Sequence, residues 1–133
     1  MNEKTTVEKV SSASLRECYF DIRHKSGLRI FVFPKKFSTF YAVLGTRFGA
    51  IDRVFEDGKG KNIILPAGTA HFLEHKMFEN ADGTNSDERF AALGADDNAY
   101  TSYSTTRYLF STTENFSDCL SELMRFVMRP YFT

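Results

Sequence analysis

Apolar and polar positions change their period several times along this chain, and each change predicts a new element. Residues 1–14, MNEKTTVEKVSSAS, are polar, rich in Ser and Thr and without apolar period, which predicts a flexible leader. From Cys18 to Arg23 and from Leu28 to Pro34, β-forming apolar residues flank HKSG, where Gly27 is free to take a positive φ. That pattern predicts a hairpin. A third run, Phe40–Leu44 continuing to Phe48, predicts another strand, in which Gly45 and Gly49 mark a bulge or a close backbone approach. EDGKGKN then reads as an exposed loop.

Three helices follow. The first has Thr69 as N-cap and runs through Phe78, until Asn80 and Gly83 stop it. The second is capped by Asn85 or Ser86, with Glu88 placed for a capping box and Gly94 for a left-handed C-terminal residue. In the third, Phe116, Leu120, Leu123 and Val127 share a face, and Pro130 forbids continuation. Between the last two helices, NAYTSYSTTRYLFSTT is too rich in β-branched residues for a helix and reads as one long strand.

Composition narrows the class without naming a function. With 133 residues, 42% of them apolar and fourteen Phe, the chain fits one globular domain able to bury a core. Lys plus Arg equals Asp plus Glu at seventeen each, so no overall field draws in nucleic acid or an anionic membrane. The first fifteen residues lack the apolar stretch of a signal peptide, and no apolar run reaches membrane-spanning length. A cytoplasmic location is expected. Cys18 and Cys119 are too few and too far apart for a disulfide framework, and both are expected to be reduced.

The chemistry concentrates in TAHFLEHKMFEN, Thr69 to Asn80. On a helix, residues about 100° apart place His71, Glu74 and His75 on one face. Two imidazoles one turn apart suit a zinc ion, and a carboxylate beside them is placed to take a proton from a water that the ion activates. The alternative is a buried amphipathic helix whose histidines are satisfied by core partners. His24, beside the first turn, reads as solvated, and Lys76, off the histidine face, as structural or exposed.

HxxEH at His71–His75 is the inverted zinc-peptidase motif, and its surroundings resemble the pitrilysin and insulysin family, its cytosolic bacterial members above all. GLRIFVFPKK is similar to that family's opening strand, GTRFGAIDRVF to its glycine-containing strand, and LGADDNAYTSYSTTRYLFS to its substrate strand. The resemblance covers residues 18 to 133. It implies an α+β fold, an antiparallel sheet with helices packed on one face, in which residues 15–133 are the N-terminal portion of the truncated first domain of a clamshell peptidase. It also implies that His71 and His75 bind zinc, that Glu74 is the general base, and that Asn98, Ala99, Tyr100 and Thr101 hold a peptide substrate added as a strand.

A catalytic zinc site normally has three protein ligands. The resemblance places the third, a glutamate, beyond Thr133. Glu79, Glu88, Glu114 and Glu122 do not match its position, and Asp96 and Asp97 read as a solvated turn. The expectation is a fragment that binds zinc weakly, is inactive alone, self-associates or pairs with the missing remainder or a second half, and derives from an endopeptidase acting on peptides or unfolded segments. A non-catalytic chamber or assembly subunit of a two-part peptidase is the alternative.

Overall fold

A computed structural model describes residues 4–132. They form two compact units, Met1–Phe37 and Ser38–Thr133.

The first unit is an antiparallel sheet of β1 (Thr6–Ser12), β2 (Glu17–Arg23) and β3 (Arg29–Val32), in that order. The expected hairpin is β2–β3: the His24 N–H bonds the Leu28 carbonyl at 2.9 Å, and Gly27 sits at φ 88°. The flexible leader expected over residues 1–14 is corrected here, because Thr6–Ser12 pairs with β2 along its whole length, Thr6 opposite Arg23 and Ser12 opposite Glu17. Residues 1–3 of that stretch lie outside the described residues. Val7 and Val10, three apart, give no strand period, so backbone pairing rather than an apolar face defines β1. Arg29 holds Asp21 through two bonds, Nε to Oδ1 at 3.1 Å and Nη2 to Oδ2 at 2.7 Å.

In the second unit the order is β4 (Phe40–Thr46), β5 (Val54–Glu56), β6 (Asn62–Ile64), α1 (Thr69–Lys76), α2 (Ser86–Ala92), β7 (Ala95–Thr101), β8 (Thr106–Thr112) and α3 (Phe116–Met128). Strands β4, β8 and β7 make an antiparallel sheet with β8 in the centre, and β5 pairs with β6. EDGKGKN is the turn of that hairpin, closed by the Asp57 N–H on the Lys61 carbonyl. The long strand expected after α2 is two strands, reversed at Ser102–Thr105. Its turn carries neither Gly nor Pro. Ser102 closes it instead, donating its N–H to the Thr105 carbonyl at 2.8 Å and its hydroxyl to the same oxygen at 3.1 Å.

The helices cover one face of this sheet. Along β8, Thr106, Tyr108, Phe110 and Thr112 are buried while Arg107 is exposed, the alternation of a strand with one covered side. The core joins Tyr108 and Phe110 to Met77, Phe90, Cys119, Leu123 and Phe126 from the helices. Phe126 meets Tyr108 and Phe90 edge-on, with centroids 5.5 and 6.1 Å apart. On α3 the buried residues are Cys119, Glu122, Leu123 and Phe126, and Phe116 and Val127 pack against the core, so of the expected apolar row only Leu120 is exposed. Glu122 is buried because Arg125 clasps it, and the same guanidinium reaches Asn80 Oδ1 at 2.9 Å and Ser86 Oγ at 3.3 Å.

Both ends of α1 differ from expectation, while those of α2 agree with it. Asn85 caps α2, accepting from the Asp87 N–H at 3.0 Å, and Gly94 is left-handed as expected. At α1 the cap is Gly68, at φ 86°, and Thr69 is the first helical residue, its hydroxyl donating to the Pro66 carbonyl. Helix α1 closes at Lys76, short of Phe78.

Candidate metal centre

One turn of α1 brings the His71 and His75 rings together, with Nε2 atoms 3.0 Å apart and centroids at 4.8 Å. Two nitrogens each 2.0–2.1 Å from one tetrahedral ion stand about 3.3 Å apart, so this spacing fits zinc. Both histidines are exposed. The alternative of rings turned apart toward core partners is not what the structure shows. Ligand atoms of His71, Glu74 and His75 all lie within 4.8 Å of one another, the one group of three such residues among those described.

Glu74 differs from its neighbours in being buried, 6% exposed. Its Oε2 accepts the Thr101 hydroxyl at 2.5 Å. Thr101 Oγ1 is also 3.2 Å from the Thr106 hydroxyl, which donates to the Phe48 carbonyl at 2.9 Å. The Phe48 segment is itself tied down: Ala50 and Ile51 donate their N–H groups to the carbonyls of Ser102 and Tyr103, at 2.9 and 3.0 Å. Gly49 lies so near this turn that an added Cβ would stand 2.5 Å from the Tyr103 oxygen. Close by, burial and then the charge of Glu74 push the Tyr108 phenol up to about 12.

The four residues expected to hold substrate lie together on β7, at the edge of its sheet. Asn98 and Tyr100 are on the exposed face, Ala99 and Thr101 on the face toward the helices. Asn98 Oδ1 accepts its neighbour Ala99's N–H at 2.8 Å. Tyr100's hydroxyl accepts from Arg107 Nη1 at 2.9 Å. The bond from Thr101 to Glu74 was not foreseen from the chain, although Thr101 was singled out there. Strand alternation around Thr106 and Tyr108 is the signal that points its side chain toward α1.

Other candidates lie elsewhere. Glu122 is paired with Arg125 and Glu79 with Lys76. Asp96 and Asp97 belong to β7 rather than to a turn, and the Asp97 carboxyl is pushed up to about 7 by burial and by Asp87 of α2. His24 bonds the Ser26 hydroxyl through Nδ1 at 2.7 Å.

The family description Insulinase (Peptidase family M16) matches residues 65–133. "Uncharacterized zinc protease YmfH" of Bacillus subtilis (strain 168) is 43% identical over 129 residues, 96% of this chain and 30% of that protein. The crystal structure of an M16-like peptidase from Alicyclobacillus acidocaldarius superposes with a TM-score of 0.78 at 32% identity, covering all of this chain and 29% of the other. A protease from Helicobacter pylori shares the fold, with a TM-score of 0.63 at 23% identity over 98% of this chain and 27% of its own. The chain thus spans less than a third of each of these relatives.

Proposed function

The chain belongs to the insulinase family of peptidases, family M16, and on that premise we propose that the protein is a zinc-dependent endopeptidase. The observation that carries this reading is the pair of exposed imidazoles converging from one turn of α1 beside a buried, hydroxyl-anchored glutamate. His71 and His75, with their Nε2 atoms 3.0 Å apart, would hold the ion. When bound, zinc supplies a Lewis acid that brings the pKa of a water to about 7.

The protein groups around it divide the remaining work. Glu74 fixes one carboxylate oxygen on Thr101 and keeps the other for the proton of the attacking water. The peptide lies along the outer edge of β7, beside Asn98, Ala99, Tyr100 and Thr101, and main-chain bonding there favours short or unfolded segments over folded proteins. A catalytic zinc takes a third protein ligand. The resemblance to the family places a glutamate in that role beyond Thr133, apart from the His71, Glu74 and His75 group of α1. The isolated 133 residues therefore bind zinc weakly and cleave nothing. Free thiols at Cys18 and Cys119 suit the cytoplasm.

Metal analysis and peptide cleavage by the full-length protein test this. Stoichiometric zinc is expected in both wild type and Glu74→Gln, with cleavage falling about 10²- to 10⁴-fold in the variant, the range a positioned base supplies. Undiminished cleavage by Glu74→Gln would sink the proposal, and an intact protein that holds zinc but never cleaves would point to a chamber subunit instead.

A further inference from the structure

The hydrogen-bond phase of β7 follows from its turn. Because the Ser102 N–H points at the Thr105 carbonyl, residues 98, 100 and 102 direct their backbone groups toward β8, and residues 97, 99 and 101 direct theirs outward. Ala99 agrees with this, its N–H being taken by the Asn98 side chain. Side chains alternate as well, and those of 97, 99 and 101 face the helices. Thr101 is thus the residue of β7 whose main chain belongs to the free edge while its hydroxyl bonds Glu74.

The proton count makes that bond directional. A threonine hydroxyl has one proton to give. That of Thr106 goes to the Phe48 carbonyl, held by the backbone bonds around Gly49, so Thr106 offers Thr101 only an acceptor lone pair. Thr101's own proton is taken by Glu74.

We propose that Thr101 is a positioning residue, which orients the Glu74 carboxylate and transmits to it the pairing of a peptide strand along the outer edge of β7. This rests on the peptidase reading above. A peptide that bonds the Thr101 backbone stiffens the residue whose side chain fixes the base, so a correctly paired substrate meets an ordered carboxylate.

The test compares Thr101→Val, Thr101→Ser and Glu74→Gln in the full-length protein, using a quenched-fluorescence peptide that the wild type cleaves. Thr101→Val, which keeps the shape and removes the hydroxyl, is expected to lower kcat about tenfold, part of a positioned base's contribution, with KM little changed. Thr101→Ser is expected to restore most of kcat. A second readout needs no turnover: in zinc-free protein the Thr101 methyl resonance is expected to move as the peptide is titrated in. Wild-type kcat in Thr101→Val, equal loss in the Ser and Val variants, or a methyl signal that ignores bound peptide would each overturn the proposal while leaving the peptidase reading intact. Cleavage surviving Glu74→Gln would instead remove that reading and this one with it.

Discussion

At Gly49 a hydrogen stands where a methyl group has no room. An alanine Cβ there would lie 2.5 to 2.6 Å from three backbone atoms of Ser102, Tyr103 and Ser104, and backbone cannot swing aside as a side-chain tip can. Gly49→Ala is therefore expected to lower stability by about 1–3 kcal/mol, the usual cost of overpacking, read as a lower denaturant midpoint. An unchanged midpoint would contradict this close approach. The close approach was legible in the chain, since a glycine inside an apolar strand run seldom lacks a neighbour. So were His71, Glu74 and His75, whose spacing follows from helix geometry alone. Thr101's hydroxyl bond was not legible. It depends on how β7 lies over α1, twenty-seven residues away in sequence, and no local period encodes that.

Among the elements, α2 and β7 meet through two acids. Asp97 faces the helices and is pushed up to about 7, by burial first, then by a bond to Asp87 and its charge, with Asp96 adding to the repulsion. A carboxyl raised in the folded state stabilises fully only below its unfolded value near 3.9, and that contribution is lost as pH climbs through 7. Thermal melts should show the wild type losing stability between about pH 4 and pH 7 through this group. Asp97→Asn should flatten that decline and melt higher at pH 8. Parallel pH profiles for the two proteins would contradict the assignment. The elements themselves were partly legible. The β2–β3 hairpin and the three helices follow from period and punctuation, whereas the reversal between β7 and β8 uses Ser and Thr in place of Gly or Pro. On α3, Phe116, Leu123 and Val127 of the expected row do meet the core, whereas the burial of Glu122 depends on its bonds to Arg125, which an apolar count cannot register.

For the molecule as a whole, both outer strands of the sheet in the second unit, β4 and β7, present an unpaired edge among the described residues. Phe40, Tyr41 and Val43 of β4 are exposed as well. Unpaired edges beside apolar side chains favour association. Sedimentation of the 133-residue chain at micromolar concentration should show dimers or larger species, and a clean monomer would count against this. Family membership was legible at this scale because the motif and its flanking strands are contiguous in sequence. The pairing of β1 was not, since it rests on backbone groups that every residue carries.

The two-sidedness of β7 also sets a rule of parity. A strand shows its residues left and right by turns, so the tie between edge and carboxylate survives only length changes that count in twos. One residue added between Thr101 and the turn at Ser102 would hand the hydroxyl to the open side and swing Tyr100 inward, whereas the loop from Asn80 to Thr84, outside that strand, is under no such arithmetic.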